Sequence, residues 1–422
     1  MRYLKASFVI GILSALRTSA IYLAGLTRTL DLAVQSMLGL AGKGGLPIDS
    51  AQFFIVAVVA LAMAWTSVDI VRPLLKGVVA ALAALLLLTG SWVVSLYGSF
   101  VSPFPAVLAV VCSLVIGLIY GRSGSGSRKR ILQRLFGSRI SRRHFNHLIN
   151  GPTPTTLVGS LCDATVLVCE IRNRDQLISA LKPEDFVAMM NLYLQTASDF
   201  LVEAGGYLDE CDGESIRVVF GAPVADEEHA QTACRAALEL ASRLDNLNKE
   251  CDATWNKRIE FRMGINSGEM VGGAYGGWRM GSYSVAGRSV EFARKLCAAA
   301  ANYGARIIVG PESYAEASEL FEARPIDMIR LPGTGRRMEI YEILSEKKAL
   351  SEERARSRDA YWRGYIYFRE RQFDKAIDEF TRARIPGLPD PVLDFYAQRV
   401  ERARRGEDTS SNDDSPLAQQ TS

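Results

Sequence analysis

The seven cysteines, at 112, 162, 169, 211, 234, 251 and 297, include no CxxC pair. That absence argues against a zinc site and against a disulfide framework, and predicts small buried thiols kept reduced. Net charge is also nearly missing: 49 Lys and Arg against 46 Asp and Glu leave +3 on 422 residues. Charge alone therefore names no partner, and it gives no ground for nucleic-acid binding. Acids are absent from residues 121–148, GRSGSGSRKRILQRLFGSRISRRHFNHL. No small-residue cleavage motif follows the apolar stretch Phe8–Leu26, and Arg17 interrupts it, so a removed signal peptide is disfavoured.

What is present divides the chain sharply. From Phe8 to Tyr120 it is mostly apolar, and beyond Gly121 apolar and charged residues alternate as in a soluble domain. Phe53–Val68, Gly77–Tyr97 and Phe104–Tyr120 are each near the length that crosses a bilayer as a helix. Phe8–Leu26 is a fourth span or a reentrant helix, because a charge such as Arg17 is costly in lipid unless it snorkels or faces other helices. With four spans, Arg2 and Lys5, Arg72 and Lys76, and the basic stretch after Tyr120 share one side, which makes both termini cytoplasmic. The expected organisation is a membrane region over 1–120, with helices near 8–26, 53–68, 77–97 and 104–120, then a basic linker over 121–160. In that linker Lys129–Ile149 reads as a helix whose cations either attract anionic headgroups or only fix topology. A soluble domain follows over 161–345, a helical segment over 346–405 and a disordered tail over 406–422.

Within the soluble domain, Ala164–Cys169 is a short buried-strand run ending at Glu170. Pro183-Glu184-Asp185 opens a helix with apolar residues at Phe186, Met190, Tyr193, Ala197 and Leu201, which Gly205-Gly206 stops. A hairpin turns at Asp212-Gly213, a second helix starts at Asp226–Glu228, Ile259, Phe261, Met263 and Ile265 alternate as a strand, and Ser289–Tyr303 is helical before the strand Arg306–Val309. The order β-α-β-β-α-β predicts a ferredoxin-like α/β domain with an antiparallel sheet. The hairpin is unusual. Asp209, Glu210, Asp212 and Glu214 crowd around Gly213. Like charges so close repel unless a cation or donor offsets them, so the stretch is a metal site or an exposed tip. In the tail, Tyr361, Gly364, Tyr367, Phe373, Ala376 and Phe380 have the spacing of one tetratricopeptide-type helix-turn-helix, which cannot bury its own face and so should pack on the domain before it.

Five ordered segments resemble the signature blocks of the class III adenylate/guanylate cyclases: VLVCEIRNRDQL (166–177), GGYLDECDGESIRVVFGAP (205–223), FRMGINSGEMVGG (261–273), GSYSVAGRSVEFARKL (281–296) and LPGTGRRMEIYEIL (331–344). The whole plan resembles bacterial membrane-anchored cyclases with a CHASE-type extracellular sensor, although the loop from Thr27 to Gln52 is too short to hold that sensor. The resemblance implies a multi-pass protein of the bacterial inner membrane with a cytoplasmic cyclase domain. That domain would work as a homodimer, or as a heterodimer with another cyclase, turning a nucleoside triphosphate into a cyclic monophosphate. Two divalent ions, Mg²⁺ or Mn²⁺, would assist.

By the same resemblance the metal positions are Glu170, the Ile171 carbonyl and Glu214, where the family has two Asp. The purine positions are Glu210 and Ser284, Glu210 being a residue that guanylate-forming members share. The transition-state positions are Glu291 and Lys295, where the family carries Asn and Arg that reach across the dimer. The late phosphate-binding Lys aligns with Pro332, with Arg336 and Arg337 nearby. Longer carboxylates displace a metal pair whose separation stays near ~4 Å, and Lys cannot reproduce the forked donors of Arg. The sequence therefore supports three functions: a degenerate cyclase homologue that regulates without turnover, an active cyclase with shifted metal and base preference, and a membrane scaffold that binds partners through its C-terminal repeat.

Overall fold

A computed structural model describes residues 2–37, 49–70, 73–97, 101–122, 131–150, 159–276, 281–330 and 337–406. The chain divides into two compact units, Met1–Arg134 and Leu135–Ser422.

The first unit contains α1 (Arg2–Leu23), α2 (Arg28–Met37), α3 (Asp49–Asp69), α4 (Pro73–Leu96) and α5 (Phe104–Arg122). Four of these hold windows long and apolar enough to cross a membrane: Leu4–Leu23, Gln52–Asp69, Leu74–Leu96 and Phe104–Gly121. Large apolar side chains such as Phe8, Leu86 and Ile119 point outward while Ala60, Ala109 and Ser113 are buried, the arrangement expected where the surrounding medium is itself apolar. Small residues let the helices close up: a Cβ on Gly11 would lie 3.0 Å from the Leu61 Cα, and one on Gly117 would lie 2.2 Å from the Ser67 Oγ. Arg17 is exposed on the outside of this unit, so it is not sheltered by neighbouring helices.

The short helix α6 (131–136) runs across the boundary between the units, and α7 (Arg142–Asn150) follows in the second. The single helix expected over Lys129–Ile149 is thus two helices, with Lys129 itself outside the described residues. The break falls at Gly137, whose φ of +49° lies in the left-handed region that ends helices. Phe136 is fully buried against Tyr207 and Tyr283, with ring centroids 5.7 and 5.3 Å away. Then come β1 (Ser160–Ile171), α8 (Arg174–Ala180), α9 (Pro183–Glu203), β2 (Tyr207–Cys211), β3 (Ser215–Phe220), α10 (His229–Trp255), β4 (Phe261–Tyr275), β5 (Ser282–Ala286), α11 (Arg288–Tyr303), β6 (Ile307–Val309), α12 (Pro311–Ala317), β7 (Phe321–Arg330) and β8 (Arg337–Glu346). The sheet runs β2-β3-β1-β4-β6-β8-β7, with β5 added on β4. Its first four strands have the ferredoxin-like order. One ladder departs from the expected antiparallel pattern: β4 and β6 pair in parallel.

Alternation along β1 explains how the sheet is covered. Leu167, Cys169 and Ile171 face a core formed with Met189, Tyr193 and Leu201 of α9 and Leu240 and Leu244 of α10. The opposite face carries α11 and three further helices, α13 (Glu352–Arg369), α14 (Phe373–Ala383) and α15 (Pro391–Arg404), around Ile308, Ile326, Ile340, Tyr361 and Tyr396. Helix α11 lies directly on β4 because position 264 is glycine: a Cβ there would sit 2.3 Å from the Ala293 carbonyl oxygen. The C-terminal helices are tied to β7 by polar bonds, with Tyr361 Oη donating to the Pro325 carbonyl at 2.9 Å and Trp362 Nε1 to that of Ala323 at 3.0 Å. They belong to the same compact unit as the sheet. Of the thiols, Cys169, Cys234, Cys251 and Cys297 are buried as expected, but Cys112 and Cys162 are half-buried and Cys211 is exposed at the hairpin.

Candidate active site

The end of β1 and the β2–β3 hairpin bring the expected metal positions together. Glu170 lies opposite Ser215 in one ladder and Arg262 in the other, and the Ile171 N–H donates to the Glu214 carbonyl at 3.0 Å. Directly opposed residues in such ladders have Cα atoms about 5 Å apart, so Glu170 and Glu214 stand on adjoining backbone. The turn between them is built locally. Gly213 has φ of +94°, and Asp212 Oδ1 accepts from the Ser215 N–H at 2.8 Å and the Glu214 N–H at 3.2 Å. Asp212 therefore closes an Asx-type turn, a structural use for one of the crowded acids.

Each remaining acid has a cationic partner. Glu170 Oε2 is 3.4 Å from an Arg262 nitrogen. Glu214 Oε2 is 3.2 Å from Arg174, both side chains being about half exposed. Asp209, buried at a bulge in β2, takes a 2.7 Å bond from Arg217 Nε, while the other arm of Arg217 is 2.6 Å from Glu210. Glu210 also meets Arg294 of α11 at 3.3 Å. The repulsion expected among the hairpin acids is thus offset by three arginines, Arg174, Arg217 and Arg294, while Arg262 serves Glu170 of β1. None of these was singled out from the sequence. Only Arg217 had a readable signal, as the alternate-position cross-strand neighbour of Glu210.

The other positions lie elsewhere. Ser284 sits on β5 opposite Gly273, beside Tyr283, whose carbonyl accepts from Tyr207 Oη. Glu291 and Lys295 are one turn apart on α11 and line an open cleft of about 470 Å³ with Asn266, Ser289 and Glu312. Neither Glu170 nor Glu214 lines that cleft. A single copy thus keeps the metal positions and the transition-state positions apart. Pro332 and Arg336 lie outside the described residues, and Arg337 is exposed at the start of β8. Burial pushes the Cys169 thiol at this end of β1 up to about 12.

The family described as Adenylate and Guanylate cyclase catalytic domain matches residues 159–345. Adenylate cyclase 1 of Rhizobium meliloti is 26% identical over 189 residues, which are 45% of this chain and 28% of that protein. An adenylate cyclase of Anabaena cylindrica is 28% identical over 186 residues, 42% of this chain and 36% of that protein. The chain therefore spans only about a third or less of the length of these relatives. Among solved structures, the adenylyl cyclase CyaB from P. aeruginosa is 24% identical with a TM-score of 0.42, covering 46% of this chain and 99% of its own.

Proposed function

With residues 159–345 forming a class III adenylate/guanylate cyclase domain, we propose that this chain is a membrane-anchored cyclase homologue in cyclic-nucleotide signalling whose own turnover is weak or absent. The observation that supports this most is the pairing of each expected metal or purine carboxylate with an arginine of the same chain. Class III cyclases use divalent metal ions. Here Glu170 and Glu214 fit an Mg²⁺ or Mn²⁺ pair poorly, because each carboxylate already faces a guanidinium, so no catalytic step is built on such a pair. On α11, Glu291 places a negative charge where the family resemblance implies a neutral amide, and Lys295 offers a point charge in place of a fork.

The test is direct. The full chain in lipid nanodiscs, supplied with Mn²⁺ and either ATP or GTP, should form cyclic nucleotide within about tenfold of a protein-free control, a difference of no more than about 1.4 kcal/mol in barrier. Robust product would overturn the proposal in favour of an active enzyme. The base used would then bear on Glu210, a carboxylate able to accept from the N1–H and 2-amino groups of guanine.

The same reading places the cyclase domain on the cytoplasmic side of a bacterial inner membrane, as a homodimer or a heterodimer with another cyclase. The four apolar windows and the Lys/Arg distribution support the membrane anchoring and the orientation. A topology reporter inserted after Met37 should be active only outside the cell and one placed after Gly406 only inside. The reverse pattern would sink the orientation.

A further inference from the structure

Away from the site above, Asp163 of β1, His229 at the start of α10 and Glu316 of α12 bring three ligand atoms within 4.8 Å of one another. The cluster sits at the far end of the β1 face that buries Leu167, Cys169 and Ile171. On that face Thr165 lies opposite Ser267, and Asp163 lies opposite Glu269. His229 is 5% exposed. Its seat is cut by Gly221, where a Cβ would lie 2.9 Å from the His229 Cβ. A chain of hydroxyls fixes the ring: Thr165 Oγ1 is 2.7 Å from His229 Nδ1 and 2.7 Å from Ser267 Oγ, which is 2.8 Å from Ser313 Oγ. The same nitrogen is 3.7 Å from Glu316 Oε2.

The charge balance here is the reverse of that at the hairpin. Glu170, Glu210 and Glu214 each have an arginine partner, whereas among the described residues the ion pair recorded in this corner is that of Glu316 with His229. Asp163 and Glu269 face each other across the ladder, and among the described residues neither forms an ion pair with a lysine or arginine. Like charges directly opposed across a ladder are destabilising. A buried imidazole beside two carboxylates, with Glu269 opposite one of them across the ladder, is a donor set that a divalent ion would complete.

We infer that Asp163, His229 Nδ1 and Glu316 form a second metal site, for a Zn²⁺-class ion, that clips α10 and α12 to β1. It does not depend on the cyclase reading. The ion class follows from the donors: imidazole favours Zn²⁺ and its neighbours over Mg²⁺, which takes oxygen ligands and keeps several waters. Tetrahedral ligands at about 2.0–2.2 Å from a shared Zn²⁺ lie about 3.3–3.6 Å apart. The three ligand atoms now lie within 4.8 Å of one another, so rotation of the exposed Asp163 and Glu316 side chains has up to about 1.5 Å to close. Binding exchanges the Thr165 bond at Nδ1 for the ion, and Thr165 keeps Ser267 as a partner. Open positions on the ion are left to water.

The experiment uses the full chain in nanodiscs, stripped with a chelator, in the Glu170→Gln/Glu214→Gln background so that ions at the cyclase acids do not count. Zn²⁺ is titrated against a chromophoric competitor, and Co²⁺ is followed by its visible absorption. One equivalent of Zn²⁺ should bind and Co²⁺ should give a ligand-field band. Adding Asp163→Asn and Glu316→Gln, two exposed changes that leave the buried imidazole in place, should weaken Zn²⁺ at least about tenfold and remove the band. A rise in melting temperature with Zn²⁺ should vanish in the same variant. Equal Zn²⁺ affinity with and without those two changes, no Zn²⁺ bound at all, or displacement of Zn²⁺ by equimolar Mg²⁺ would each overturn the site.

Discussion

Replacing Arg324 with alanine should destabilise the Leu135–Ser422 unit by about 3–5 kcal/mol, the usual result of leaving buried carboxylates without their cation. Arg324 of β7 is 9% exposed and pairs across the ladder with Glu342 of β8. Its Nε donates to Glu342 Oε2 at 2.8 Å, and its two terminal nitrogens take both oxygens of Asp390 at 2.6 and 2.9 Å. Asp390 in turn caps α15, with Oδ1 accepting from the Leu393 N–H at 3.1 Å. One guanidinium therefore holds a sheet carboxylate and the first turn of a C-terminal helix together. Its loss strands Glu342, which is 6% exposed, and frees the end of α15. Urea unfolding followed by tryptophan fluorescence measures the loss. Combining Arg324→Met with Glu342→Gln and Asp390→Asn should recover most of it, since a buried ion cluster replaced as a whole often costs little. If Arg324→Ala alone costs under about 1 kcal/mol, the cluster does not anchor the C-terminal helices.

Acid adds a second readout. Burial by itself would raise the Asp390 carboxyl, but the bonds from Arg324 outweigh it and hold the group below its ordinary value of 3.8. A depressed acid contributes stability that is complete above the unfolded value and is lost as pH falls through the lower folded one. The wild-type protein should therefore lose this contribution below about pH 4, and the triple replacement should lack that part of the slope.

Local pattern carried most of the fold. The helix that Pro183 opens, the turn at Asp212-Gly213 and the alternation from Phe261 to Ile265 each follow from side-chain period, capping or left-handed backbone, which neighbouring residues settle among themselves. The positions Glu170 and Glu214 were legible because a strand end and a turn fix them. Their partners were not. Arg262 is cross-strand to Glu170, and Arg294 reaches Glu210 from a helix 84 residues later. Such pairs depend on register and helix placement, and sequence spacing does not state either. The break at Gly137 was missed for a related reason: a basic helical period continues through it, and the docking of Phe136 between Tyr207 and Tyr283 decides the backbone there. The metal-ligating corner at His229 was missed because its three residues come from separate elements with no motif spacing.

Those pairings also determine which changes test the proposed low turnover. The variant Glu170→Asp, Glu214→Asp, Glu291→Asn and Lys295→Arg should form cyclic GMP from GTP at least about tenfold above the unmodified chain, whereas any one change alone should do little, since such groups act as a unit. Shortening the two acids withdraws them from Arg262 and Arg174, now at 3.4 and 3.2 Å, and leaves the carboxylates free for divalent ions. The α11 changes remove a charge that would repel a triphosphate and supply a forked donor. A further Glu210→Lys change should instead be harmful. An ammonium there would stand beside Arg217 and Arg294, which Glu210 now meets at 2.6 and 3.3 Å. The repulsion is on the order of 1 kcal/mol per contact after solvent screening. Adding it to the other four should lower both the melting temperature and the yield of product. Cyclic nucleotides are counted by mass spectrometry with Mn²⁺ and each triphosphate, on protein whose dimerisation has been checked by light scattering. A fivefold variant that outperforms the fourfold one would remove the structural role given to Glu210. A dimeric fourfold variant with no product would show that the arginine pairing does not govern turnover at this site.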